Sequence, residues 1–187
     1  LKFAESDSPG PGLESSNLEY SEAISFLLER SNEVASEHST PQDVTQLMVE
    51  LLFFGDPVDS DAPDKTKTVF DPACGVGAAF STIAEKVSKL DSAPDIKFFG
   101  QELNSESRAV CASRLLLHGY DVSGLATGNA LAADAHPNLQ ADYLLCVPPW
   151  GASWSKFADA IEEEHEKKGH AGRFGAGLPR KSDSTLL

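Results

Sequence analysis

The sequence predicts an α/β layered domain, a mainly parallel sheet flanked by helices, and three observations carry that expectation. After residue 66, short apolar runs alternate with helix-length amphipathic patterns, which is how successive β-α-β units read. A glycine-rich turn, Gly75-Val76-Gly77, stands where the first apolar run gives way to the first of those helices. The 187 residues are 41% hydrophobic and 24% charged, the composition of an ordinary globular chain able to bury a core.

Taken in order, residues 1–17 are rich in Ser, Pro, Gly and acid without apolar periodicity, and are expected to form a mobile tail. The domain proper, 18–187, divides into leading helices at 18–54, a core at 66–150 and a polar segment at 151–187. From Leu18 to about Val34, the apolar residues Ile24, Phe26, Leu27 and Leu28 suit a helix packed on the main domain. Thr40-Pro41-Gln42-Asp43 then offers a capping Thr and a first-turn Pro. Val44, Leu47, Met48, Leu51 and Leu52 follow at i, i+3, i+4, i+7 and i+8, which predicts a single apolar helix face ending near Gly55-Asp56-Pro57. The acidic stretch from Asp56 to Lys67 reads as a surface loop.

Thr68-Val69-Phe70 is the first predicted strand. Ala79 to Leu90 is a helix with Phe80, Ile83, Ala84 and Val87 on one face, and Ile96 to Gly100 is the second strand. Ser105 to His118 is a helix stopped by Gly119, Leu125-Ala126-Thr127 is a weak third strand, and Ala141 to Val147 is a strong fourth. An acidic helix at Phe157 to Lys168 and a glycine-rich stretch from Gly169 to Gly177 complete the chain. No fifth or sixth strand is evident and the first residue is Leu, so a sheet truncated after its fourth strand, part of a longer protein, is expected.

A net charge of −14 argues against a self-sufficient nucleic-acid binder, which needs a basic face. No apolar run approaches the ~18 residues of a membrane span, and the amino end lacks the apolar core of a signal peptide. The three cysteines, Cys74, Cys111 and Cys146, have no paired spacing, which suits a reducing cytoplasm, and no membrane partner is expected. His38, His118, His136, His165 and His170 show neither metal-ligand spacing nor a partnered nucleophile; they read as surface or helix-end residues, with no metal site. The run Glu162 to Lys168 reads as a solvated helix face.

Chemistry concentrates in Asp71-Pro72-Ala73-Cys74-Gly75-Val76-Gly77-Ala78, between the first strand and the helix after it. Glycines there let a ligand approach the backbone, and the helix start aims free amides at it. A dinucleotide fingerprint wants a third small residue where this chain has Phe80, which counts against NAD. A nucleoside without phosphate needs instead a carboxylate for its ribose hydroxyls at the end of the second strand, where Glu102 stands. Cys74, in the turn, serves as a small residue rather than a reactive thiol.

Thr40-Pro41, Asp71 to Gly77, Gly100-Gln101-Glu102-Leu103-Asn104, Leu115-Leu116-Leu117-His118-Gly119, Gly128-Asn129-Ala130-Leu131 and Pro148-Pro149 occur in the order and spacing of adenine-N6 DNA methyltransferases. More narrowly, the chain from about Leu27 to Asp183 resembles the modification (M) subunits of type I restriction–modification systems, including Arg173-Phe174-Gly175-Ala176-Gly177-Leu178-Pro179-Arg180 after the catalytic loop. The resemblance implies the Rossmann-like S-adenosylmethionine-dependent methyltransferase fold, with S-adenosylmethionine as cofactor. Thr40 and Pro41 would border its methionine end, and Asp71, Pro72, Ala73, Cys74, Gly75 and Gly77 would hold its amino acid moiety. Glu102, beside Leu103, would take the ribose hydroxyls, and Gly128, Asn129 and Ala130 would lie near the adenine ring; many relatives have Asp where this chain has Asn129. Implied partners are double-stranded DNA reached through a separate specificity subunit, and a restriction subunit, in a hetero-oligomer. Arg173, Arg180 and Lys181 would then face phosphates for an otherwise repelling chain.

The sequence departs from that family at the catalytic loop. The resembled enzymes end the fourth strand in Asn or Asp, then Pro-Pro, then Tyr or Phe; here the text is Val147-Pro148-Pro149-Trp150. The lone pair of adenine's exocyclic amine is delocalised into the ring, so a side-chain oxygen and the first proline's carbonyl are needed to accept its N–H bonds and favour a pyramidal nitrogen. Val147 accepts nothing, Pro148 keeps its carbonyl, and Trp150 can stack on a flipped base. Two other readings stand beside the DNA methyltransferase: a non-catalytic module of the same fold that binds a partner, and a methyltransferase for protein or RNA nitrogen.

Overall fold

The computed structural model describes residues 40–54, 66–90, 93–148 and 151–184. The expected tail at 1–17, the helix at 18–34 and nearly all of the acidic loop before Lys67 lie outside the described residues. The sheet has four parallel strands, β1 (Lys67–Asp71), β2 (Ile96–Glu102), β3 (Leu125–Thr127) and β4 (Tyr143–Leu144), in the order β3-β2-β1-β4. Asp71 lies opposite Gly100, Glu102 opposite Thr127, and Val69 opposite Tyr143. The chain steps outward from β1 to β2 and β3, then returns to the other side of β1. That reversal opens a crevice at the carboxyl ends of the strands, where ligands of open α/β sheets sit.

Three helices cover one face: α1 (Gln42–Leu52), α2 (Ala78–Val87) and α3 (Ser105–Leu117). The α2 face read from the sequence is the buried one, with Phe80, Ile83, Ala84 and Val87 all in the core. The Phe80 ring meets Phe98 of β2 at 5.0 Å, and Phe98 meets Tyr120 edge-on at 4.9 Å. Asn104 caps α3, its Oδ1 accepting the Glu106 and Ser107 N–H groups, and Gly119 follows in the left-handed conformation that ends the helix. A second small cluster, Trp154, Ala158, Ile161 and Phe174 with Leu131 against it, is built around α4 (Ala158–Lys168).

Several expectations are corrected. On α1 the buried residues are Thr45 and Val49, while Val44, Leu47 and Leu51 are exposed, because Val49 and Phe53 turn inward and Phe53 meets Tyr143 at 4.8 Å. Thr40 does not cap this helix; Pro41 occupies that position without a side-chain cap, and its carbonyl accepts the Thr45 N–H and hydroxyl. β4 pairs over Tyr143–Leu144 alone rather than Ala141 to Val147: β1 is its one partner in the described sheet, and β1 itself ends at Asp71. β2 runs two residues past Gly100, so Glu102 is the end of the strand itself. His136 is half-buried rather than fully at the surface; its ring lies edge-on 5.6 Å from both Phe70 and Phe99, with Nε2 3.3 Å from the Gly100 carbonyl.

Candidate functional site

The site forms where β1 and β2 end. At the end of β1, Asp71 is 6% exposed and its Oδ1 accepts the Ala73 N–H at 2.8 Å, which starts the turn. Burial pushes the Asp71 carboxyl up to about 7; the Ala73 N–H opposes that rise and the neighbouring Glu102 charge adds to it. The turn is pinned by the Cys74 N–H on the Gln101 carbonyl at 3.1 Å and the Gly77 N–H on the Cys74 carbonyl at 2.8 Å. Gly75 and Gly77 have φ of 54° and 76°, which a side chain adopts only with strain.

The two glycines do different work. A Cβ on Gly75 would meet nothing within 4 Å, so the space over the turn is open to a ligand. A Cβ on Gly77 would meet Cys111 Sγ of α3 at 2.6 Å, so this glycine exists for helix packing. Cys74 and Cys111 are both buried, and the hydrogen bond between their thiols and burial together push the Cys74 thiol far up, in keeping with an inert filler. Cys146 is likewise raised, to about 12, first by burial and then by the Asp71 charge, which brings the chain just before Val147 beside the end of β1.

Glu102 closes the other side. Its Oε2 accepts the Gly75 N–H at 3.0 Å and its Oε1 the Asn104 N–H at 2.7 Å, so the carboxylate spans from β2 to the turn of β1. Leu103 beside it is exposed. Below it, the Glu102 carbonyl accepts the Gly128 N–H at 2.9 Å, which sets the start of the third segment. Asn129 Oδ1 accepts the N–H groups of Leu131 at 2.8 Å and Ala132 at 3.0 Å, closing the chain into a tight turn over Ala130.

The sequence reading missed what holds that turn. Gln101, 2% exposed, donates through Nε2 to the Ala133 carbonyl at 2.8 Å and accepts the Ala135 N–H at 3.1 Å. Arg173 donates to the Ala130 carbonyl, to the Leu131 carbonyl at 3.3 Å and to the Glu164 carboxylate at 2.6 Å. The expectation that Arg173 and Lys181 face phosphates therefore needs correction. Arg173 is taken up by Glu164, and Lys181 pairs with Glu162 at 2.6 Å. Nor is Glu162 to Lys168 simply a solvated face, since the Glu164 side chain is only 12% exposed and its hydrogen bonds to Arg173 hold its carboxyl near 2.

Among the described residues, Thr40, Pro41, Val147 and Pro148 are not joined to this cluster by hydrogen bonds. Thr40 and Pro41 begin α1, where Pro41 bonds only back to Thr45 among the described residues. Val147 and Pro148 are half-buried, and Pro149 and Trp150 lie outside the described residues. Among the described residues no cluster of His, Cys, Asp and Glu could hold a metal, and no helix is long and apolar enough to cross a membrane.

The Glu102 carboxylate over the open Gly75 turn, with the Asp71 carboxyl buried at the end of β1, disfavours a pyrophosphate and suits a ligand that presents hydroxyls. The parallel sheet and its crevice define the Rossmann-like fold of S-adenosylmethionine-dependent methyltransferases. A family model described as N-6 DNA Methylase matches residues 20–184, and the chain belongs to that family. It is 23% identical over 149 residues to the type I restriction enzyme MpnII methylase subunit of Mycoplasma pneumoniae, covering 73% of this chain and 25% of that one. The crystal structure of the type I restriction–modification system methyltransferase subunit from Streptococcus thermophilus superposes with a TM-score of 0.56 at 26% identity, over 78% of this chain and 29% of that one. A protein from Listeria monocytogenes described as a class I S-adenosylmethionine-dependent methyltransferase shares the fold, with a TM-score of 0.60 at 18% identity over 78% of this chain and 44% of that one. The chain thus spans about a quarter of the length of the type I subunits it resembles.

Proposed function

We propose that this chain is the S-adenosylmethionine-binding part of a type I M subunit that methylates the N6 of an adenine flipped from DNA, with a specificity subunit supplying the grip on the duplex. The observation that carries the reading is the Glu102 carboxylate facing the open Gly75 turn, with Asp71 buried beside it. When bound, the cofactor supplies an electrophilic methyl group on a sulfonium. In this reading Glu102 accepts the ribose hydroxyls, ionised Asp71 attracts the cationic amino acid end, and the Asn129 turn borders the adenine. The Pro148 carbonyl accepts one N–H of the target amine.

Position 147 supports a second reading. Val147 offers no acceptor for the other N–H, and losing one preorganised partner costs on the order of 3 kcal/mol, about a hundredfold in rate. The chain then keeps cofactor binding with slow turnover, or serves as a non-catalytic subunit that positions partners. Calorimetry should give micromolar binding of S-adenosylmethionine that Glu102→Ala and Gly75→Val abolish; no heat from a well-folded sample would overturn the cofactor assignment. In the complete assembly, Val147→Asn should raise methyl transfer to DNA, and equal rates would overturn the account of the missing acceptor.

A further inference from the structure

We propose that Arg173 is a positioning residue for the adenine of the cofactor, an inference that rests on the cofactor reading above. Its guanidinium ties the turn at Ala130 and Leu131 to Glu164 of α4. Nη1 donates to the Ala130 carbonyl and Nη2 to the Leu131 carbonyl, 43 and 42 residues away. Nε and Nη2 grip the Glu164 carboxylate of α4, and Lys168 donates to that same carboxylate at 3.3 Å. The Arg173 side chain is 35% exposed and the Glu164 side chain 12%, so the pair is shielded enough to hold one geometry.

The carbonyls so held belong to the turn that Asn129 closes. Asn129 spends its Oδ1 on the Leu131 and Ala132 amides, and its carbonyl on Ala132 and Ala133. Among the described residues, what remains for a purine edge at Asn129 is its Nδ2 and backbone N–H, and their direction depends on where the turn is held. Gln101 holds the far side of the turn to the sheet. Arg173 holds the near side to α4, which follows the catalytic loop in the chain. The polar segment 151–184 is therefore a structural arm of the nucleoside site as well as a sequel to the loop, and the shape that reads adenine depends on one ion pair within it.

The test compares the affinities of the intact protein for S-adenosylhomocysteine and S-inosylhomocysteine, which differ only at the base edge. The unaltered protein should favour the adenine ligand by about tenfold, a difference of one well-made polar contact. Arg173→Ala should bring that ratio to about one while the protein still unfolds cooperatively, and Arg173→Lys should restore it only in part, because an ammonium cannot reach both carbonyls and the carboxylate together. Glu164→Gln, which leaves the guanidinium on the two carbonyls, should give an intermediate ratio and serves where the Ala variant does not fold. Glu102→Gln should weaken both ligands alike, by about tenfold, keeping the ratio. An unchanged ratio in Arg173→Ala, or no base preference in the unaltered protein, overturns the proposal and leaves the cofactor reading intact. Absence of binding to either ligand, or indifference to Glu102→Gln, overturns the cofactor reading itself.

Discussion

The Glu102 carboxylate and the Gly75 backbone meet across the crevice, Oε2 accepting the N–H at 3.0 Å, while Oε1 takes the Asn104 N–H at 2.7 Å. One side chain thereby joins the end of β2, the turn after β1 and the cap of α3.

Glu102→Gln should separate the structural from the binding share of that contact. The amide keeps one acceptor but turns a donor toward one of the two N–H groups. Chemical denaturation should show a loss of about 1 kcal/mol. Cofactor affinity should fall about tenfold, because a charge-assisted acceptor for a vicinal diol is replaced by a neutral one. A variant as stable as the unaltered protein would mean that these hydrogen bonds add nothing to folding.

Gly77→Ala should destabilise by about 1–3 kcal/mol, since its Cβ meets Cys111 Sγ at 2.6 Å and its φ is 76°. Adding Cys111→Ala removes the 2.6 Å contact and leaves the tighter-than-usual contacts to Cβ and Cα of residue 111, at 3.1 and 3.2 Å, and the backbone strain. The double variant should thus be less destabilised than the two single costs together predict, by about 1 kcal/mol in a thermodynamic cycle. Simple additivity would show that α3 does not press on the turn.

Asp71 gives the protein a pH dependence with a definite sign. Its carboxyl is pushed up to about 7 in the folded chain from its ordinary value of 3.8, so between those limits the folded state binds the extra proton. Stability from this group is full below the unfolded value. It declines as pH rises toward 7, by up to about 1.4 kcal/mol per pH unit. Thermal unfolding of Asp71→Asn should show that slope flattened. Cofactor affinity should run the other way, rising between about pH 6 and 8 as the carboxylate forms to face a cationic ligand.

Gln101→Leu should cost about 2 kcal/mol, because the Ala133 carbonyl and the Ala135 N–H lose their partner at a residue that is 2% exposed. Hydrogen exchange should report the loss first at residues 129–135. Protection unchanged there would mean that Arg173 alone holds the turn.

Much of the fold could be read from local text. The α2 face, the span of α3 and its Gly119 stop, the glycine turn and the carboxylate at the end of β2 each depend on periodicity or turn chemistry within about a dozen residues. The order of motifs matched one family, as the family model over residues 20–184 bears out. What the sequence could not state were choices between equivalent local options. The α1 pattern allowed one apolar face, yet packing on α2 and Tyr143 turned Val49 and Phe53 inward and left Leu47 and Leu51 outside.

The rest belongs to the tertiary structure alone. Cys111 beneath Gly77, Gln101 under the Asn129 turn, His136 between two phenylalanines, and Arg173 on Glu164 and on carbonyls 43 and 42 residues away are pairings across segments that no period encodes. A basic residue in an acidic chain reads as free to meet phosphate until the fold shows which carboxylate lies beside it. The sequence determined the family, the glycine turn after β1 and the carboxylate that ends β2. The three-dimensional packing decided which charges are already spoken for, because an ion pair forms wherever the folded chain brings its partners together, however far apart they stand in the text.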